Sequence, residues 1–246
     1  MYNIVTAPVL DASKIINSRL LLWLAMAFPL FTVIALGIDS VDFYTIYFDG
    51  RWLTNFLALA YFALMYYAAG SYLRSLMFVM VFLSYIGELL FCKVLGMYAY
   101  RTEAIPLYVP LGHAIVYASG YTLAHTAVAF KYDKVLRYIF AAGFIILFLA
   151  VGIFLNDVFS LLSGVLFFLL LYRKRWQNMY YFIALCVIFI ELAGTYFKCW
   201  TWQPKIFGLL PAANPPVGAV FFYAGGDVLL AKIVAVWQKR KLNNTI

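Results

Sequence analysis

Charge is scarce in this sequence. Only 11% of its 246 residues are charged, and 10 are Asp or Glu, against about 25% charged in an ordinary soluble domain. That excludes a water-soluble fold, which would need far more charge to cover its surface. Cysteine is scarce as well. Cys92, Cys186 and Cys199 form no CxxC pair and share no pattern with histidine, so neither a zinc site nor a disulfide framework is expected. No nucleotide-binding motif and no metal-ligand cluster occurs, which argues against ATP-driven or redox work. No cofactor or metal is expected.

What the chain has instead is hydrophobic length: 66% of it is hydrophobic and its mean hydropathy is +0.92. A helical membrane span needs about 20 mostly apolar residues. Eight such runs are expected, near 18–37, 52–70, 73–95, 107–129, 136–154, 157–172, 178–199 and 214–237. The expected fold class is therefore all-α, a polytopic transmembrane helical bundle. Only Asn156 and Asp157 divide the fifth run from the sixth. The first run has no small-residue cleavage site, so it is expected to stay as an anchor.

The net charge of +8 sits in short clusters between the apolar runs. Lys14 and Arg19, Arg74, "KYDKVLR" (131–137), "RKR" (173–175) and "KRK" (239–241) fall on one side of the expected topology. Asp39, Asp42 and Asp49 with Arg51, Arg101 with Glu103, Asp157 and Lys205 fall on the other, which is the less basic. The basic side is expected to be cytoplasmic, with both termini there, in a bacterial inner membrane. Basic residues used as topology signals give no reason to expect a nucleic-acid partner.

The chain also carries an internal similarity. "PLGHAIVYASGYTLAH" (110–125) aligns without a gap to "PVGAVFFYAGGDVLLA" (216–231), with six of sixteen positions identical. Upstream, Glu88 precedes "YAY" (98–100) much as Glu191 precedes "WTW" (200–202). The period is roughly four spans, which keeps orientation and predicts two parallel repeats, residues 1–130 and 131–246, within one membrane domain.

Each repeat then places one carboxylate deep in a span. Glu88, Glu191 and Asp227 are expected at a common depth facing the bundle interior, because membrane carboxylates rarely face lipid. His113, Tyr117, Tyr121 and His125 recur every fourth residue and share a helical face. The spacing predicts a polar, aromatic-lined interior capped by two Pro-, Gly- and aromatic-rich outer loops, 98–113 and 200–219. Glu88, Glu191, Asp227 and His113 are the candidate catalytic residues. Tyr98, Tyr100, Tyr117, Tyr121, Trp200, Trp202, Asn214 and Tyr223 are the candidate substrate-binding ones. A carboxyl group in an apolar cavity favours its neutral form and can serve as a general acid. Aromatic faces stabilise the carbocation that protonating a double bond creates. The plainer account of the tyrosine stripe is helix packing, and that of His125 is a structural hydrogen bond.

Glu88, Gly96, Tyr98-x-Tyr100 and "IPLYVPLGH" (105–113), followed by "WTW" (200–202), Gly208, Pro211 and Asn214, resemble the carotenoid biosynthesis membrane proteins. That family includes carotenoid hydratases, which add water to a terminal double bond of acyclic carotenoids. The resemblance implies a cofactor-free, multi-span enzyme acting on an isoprenoid within the bilayer. It covers the third and fourth runs, the seventh and the loop after it. The chain departs from the family at "FCKVLGMYAY", where a Gly-Phe-Pro-Phe-Gly-like run is usual, and at Gly112 and His113, where Trp is usual. Two other classes fit the composition: a small proton-coupled transporter or lipid-binding protein, and an accessory subunit of a membrane complex.

Overall fold

The computed structural model describes residues 19–174 and 177–243. Lys14 and part of the "RKR" cluster lie outside them. The described chain is mostly helical, with α1 (Arg19–Ile38), α2 (Val41–Ile46), α3 (Arg51–Ala68), α4 (Ser71–Glu88), α5 (Tyr108–Ala124) and α6 (Ala127–Lys131) in the first part. The second part holds α7 (Asp133–Phe154), α8 (Val158–Tyr172), α9 (Gln177–Tyr196) and α10 (Ala219–Asn243). Helix α4 continues as a π-helical turn, Leu89–Val94. Five helical segments are long and apolar enough to cross a membrane: Arg19–Ile46, Ser71–Val94, Asp133–Phe154, Gln177–Tyr196 and Ala219–Arg240. The other three expected runs are also helical, as α3, α5 and the shorter apolar α8.

The composition of α5 follows from its place. It packs against α1, α3, α4 and α9 and is buried on nearly every side. A helix surrounded by protein needs close-packing residues rather than greasy ones, and α5 supplies Ala114, Ala118, Ser119, Gly120 and Ala124. At Gly120 an added Cβ would lie 2.6 Å from the Ile183 Cα, so α5 and α9 approach backbone to backbone. Outside this core, large apolar side chains such as Leu30, Phe56, Ile146 and Phe154 are exposed, as lipid-facing residues are.

Helix ends correct several of the sequence boundaries. The expected run 107–129 breaks after Ala124, and the Thr126 hydroxyl caps α6 by accepting from Ala129 N at 3.3 Å. The run expected from 214 begins its helix only at Ala219, and that expected to 199 ends at Tyr196. Between α7 and α8, Asp157 caps α8 by accepting from Ser160 N at 2.8 Å. That fits the division expected at Asn156 and Asp157.

The fold is also not purely helical. Four short strands, β1 (Tyr98–Tyr100), β2 (Trp200–Trp202), β3 (Lys205–Ile206) and β4 (Leu210–Pro211), form two antiparallel pairs. Strand β1 pairs with β2 in the register Tyr98↔Trp202, Ala99↔Thr201 and Tyr100↔Trp200. The two aromatic motifs, a hundred residues apart in sequence, thus lie face to face. Lipid cannot satisfy the backbone of a non-helical segment, so mutual pairing is the form in which two such segments remain stable beside a bundle.

Candidate functional site

Both strands grow out of helices that end in the same way. After the π-turn, Gly96 turns the chain with φ +58, two residues before Tyr98. After α9, Lys198 does so with φ +57, two residues before Trp200. The path from the acid to the first aromatic is ten residues in the first case and nine in the second. The π-helical turn takes up the extra residue, because each π turn carries about one residue more than an α turn. Both aromatic motifs consequently fold back over their own acid.

The result is two carboxylates, each held by three donors. Glu88 Oε2 accepts from the Tyr98 hydroxyl at 2.7 Å and the Tyr100 hydroxyl at 2.6 Å, while Oε1 pairs with His113 Nε2 at 2.9 Å. Glu191 Oε2 accepts from the Trp200 and Trp202 indoles at 2.9 and 3.0 Å, and Oε1 accepts from the Tyr223 hydroxyl at 3.2 Å. In both cases the third donor comes from the next helix of the bundle, α5 or α10. Burial, then the nearby Glu88 carboxylate, push the Tyr98 and Tyr100 phenols well above their ordinary range, so both stay protonated donors.

The two clusters touch. The His113 ring stacks on Tyr223 with centroids 4.8 Å apart and planes 14° apart. Tyr98 packs on Trp202 at 4.7 Å, and Tyr100 meets Trp200 edge-on at 6.1 Å. Outside them, Arg101 bonds Asp39 Oδ1 at 2.6 Å and Asp49 Oδ1 at 2.9 Å, and the Tyr108 hydroxyl donates to Asp39 Oδ2 at 2.7 Å. Burial alone would lower the Arg101 guanidinium, but its bonds to Asp39 and Asp49 hold it above its ordinary value. This ion cluster fixes the end of β1 to the connection between α1 and α3. Composition gave no sign of it, because its members are far apart in sequence.

Both clusters line one cavity of about 470 Å³ whose remaining walls are mainly apolar, among them Phe28, Phe31, Met80, Phe91 and Phe222. Ile86 on α4, Leu90 on the π-helical turn after it and Leu229 on α10 line this cavity and are exposed. Helices α4 and α10 pack together.

Of the residues singled out from sequence, the cavity wall brings together Glu88, Glu191, Asp227, His113, Tyr98, Tyr100, Trp200, Trp202 and Tyr223. It does not include Tyr117, Tyr121 or Asn214. Tyr117 and Tyr121 lie in the packed interior of α5, stacked at 5.9 Å, and Tyr121 stacks on His125 at 4.0 Å. Both are buried in the packed core of the bundle. Asn214 acts on backbone: its Oδ1 accepts from Trp202 N at 3.0 Å and holds β2 in place. Sequence reasoning missed Gly225 and Gly226, which line the cavity and where an added Cβ would meet nothing within 4 Å. Their doublet opposite Ser119-Gly120 in the repeat alignment was the available signal.

Among the described residues, no group of three His, Cys, Asp or Glu converges as a metal site would require. No family model, no curated protein and no solved structure matches this chain.

Proposed function

We propose that the protein is an eight-span membrane enzyme, built from two parallel four-span repeats, that hydrates a double bond of a lipophilic, isoprenoid- or carotenoid-like substrate. The observation that carries this reading is the pair of triply hydrogen-bonded carboxylates in the wall of a mainly apolar cavity, some of whose lining residues on α4 and α10 are exposed. An opening between these two helices would suit a substrate that arrives from the bilayer rather than from water. The repeat is supported by the matching turns at Gly96 and Lys198 and by the reciprocal packing of α4 on α10 and α9 on α5. The basic loops favour cytoplasmic termini.

The chemistry assigned to the two acids differs. Indole N–H groups only donate, so Glu191 Oε2 is a fixed acceptor and its carboxylate serves as a counter-charge. The partners of Glu88 are two phenols, which stay donors, and an imidazole, which can exchange a proton with it. The Glu88–His113 pair delivers a proton to one alkene carbon. The cation left on the other carbon is stabilised by the Tyr and Trp faces and by Glu191. A water oxygen then bonds to that carbon, and the proton it sheds returns to the Glu88–His113 pair. The net change is the gain of one water.

The test is expression in bacteria that make lycopene, with extracted pigments read by chromatography and mass. A product heavier by one water is expected. Glu88→Gln should lower its formation by about 10²- to 10⁴-fold, the usual weight of a general acid. An unchanged extract from well-folded protein would overturn the reading.

A further inference from the structure

Asp227 has no part in the proton path just described, yet it is a buried acid with an unbonded oxygen. It is 2% exposed and lines the same cavity, on α10 one turn beyond Tyr223. Its Oδ2 has no hydrogen-bond partner among the described residues. Tyr117, Tyr180 and Tyr223 lie close enough to interact with it electrostatically, but no hydrogen bond joins any of them to it. No ion pair to Asp227 occurs among the described residues: Lys232, five residues further on, lines a separate groove with Trp237 and Arg240. Beside Asp227, Gly225 and Gly226 leave open space where side chains would stand.

A buried carboxyl with an unused oxygen costs stability unless something bonds it. The acids of the two clusters have filled that need from the protein, and Asp227 has not. We infer that Asp227, with the space opened by Gly225 and Gly226, forms a subsite that takes the hydroxyl group of a lipophilic alcohol. A hydroxyl fits in either protonation state, because it donates to a carboxylate and accepts from a carboxylic acid. An ammonium group fits only the first, and a hydrocarbon fits neither. One helical turn separates the subsite from Tyr223, a rise of about 6 Å. The ligand's hydroxyl would therefore sit several bonds away from any carbon held at the Glu88 and Glu191 clusters. This inference rests on the lipid cavity of the proposed function but not on the reaction proposed for it.

The test needs binding and no turnover. The full chain in lipid nanodiscs is loaded with a lipophilic fluorophore, which is displaced in turn by farnesol, farnesylamine and the hydrocarbon farnesene. Farnesol is expected to compete on the order of ten- to a hundred-fold better than farnesene, the range for a hydrogen bond to a buried charged group. In Asp227→Leu that preference should fall to about twofold or less while farnesene still binds, which also shows that the variant is folded. If Asp227→Leu fails to fold, Gly226→Leu fills the same space from a neighbouring position and should remove the preference for farnesol. Equal displacement by farnesol and farnesene in the unaltered protein overturns the hydroxyl subsite and leaves the lipid cavity standing. A larger preference for farnesylamine than for farnesol overturns it in favour of a cation site. Failure of all three probes to displace the fluorophore overturns the inference together with the lipid cavity. A hydroxyl preference with no hydrated product would uphold the subsite and count against the hydratase alone.

Discussion

The Glu88 and Glu191 clusters have the same plan and opposite chemistry. Each has an acid on a long helix, a left-handed turn, an aromatic-x-aromatic strand folded back over the acid, and a third donor from the next helix. In the first, one partner is an imidazole, which can give up a proton or accept one, beside two phenols that stay protonated. In the second, two of three partners are indoles, which can only donate. Fixing one acid and leaving the other responsive is how a site can hold a steady charge beside a group that moves protons.

Several measurements would break or sharpen this contrast, apart from the effect of Glu88→Gln on turnover. The largest stability effect is expected from removing the fixed acid. Glu191→Leu strands two buried indole N–H groups that cannot rotate to new acceptors, and should cost about 3 kcal/mol. Glu88→Leu should cost clearly less, because phenol hydroxyls can swing. Thermal unfolding in one detergent compares the two, and equal losses would mean that the clusters do not differ in rigidity. Next is Gly194→Ala. An added Cβ there would lie 2.0 Å from the Trp200 ring, so the indole must leave Glu191, at about 1–3 kcal/mol. Gly87, two residues before the π-segment in the other half, meets only the Phe91 ring at 3.9 Å, so Gly87→Ala should be nearly silent.

A smaller effect, of opposite sign, comes from the turns. Lys198 holds φ +57, where its counterpart is Gly96. Lys198→Gly should relieve that strain and raise stability by about 0.5 kcal/mol after the entropy lost by glycine. The smallest effect concerns pH. Burial works to raise the Asp49 carboxyl, but its bonds to Arg101 and Arg51 outweigh that and hold it below its ordinary value. A carboxylate depressed in the folded state stabilises above its unfolded pKa, and the gain is lost as pH falls below about 4. Arg101→Met should flatten the fall in melting temperature between about pH 5 and pH 3, modestly, because Asp49 is partly exposed and screened.

Much of the arrangement was legible in the sequence. Glu88 and Glu191 were conspicuous because a charge in an apolar run is costly, and Tyr-x-Tyr and Trp-x-Trp because their spacing from the acids recurs. The stripe from His113 to His125 misled in part. Fourfold spacing puts residues on one face, but only the neighbours of that face decide whether it borders a cavity. His113 does, while Tyr117 and Tyr121 are covered by other helices. Asn214 misled similarly, since an amide beside a site serves backbone and ligand equally well in sequence.

By itself the sequence determined that this chain is helical and apolar enough for a membrane, where its buried acids fall, and which aromatics stand near them. Those follow from hydropathy, periodicity and spacing, which are local properties. Only the tertiary structure decided that β1 pairs with β2, that Glu88 and Glu191 each meet their own aromatics, that His113 lies on Tyr223 and that Asp227 Oδ2 is without a hydrogen-bond partner among the described residues. Those depend on which segments meet across the bundle, and segments a hundred residues apart leave no record of their contact in either stretch alone.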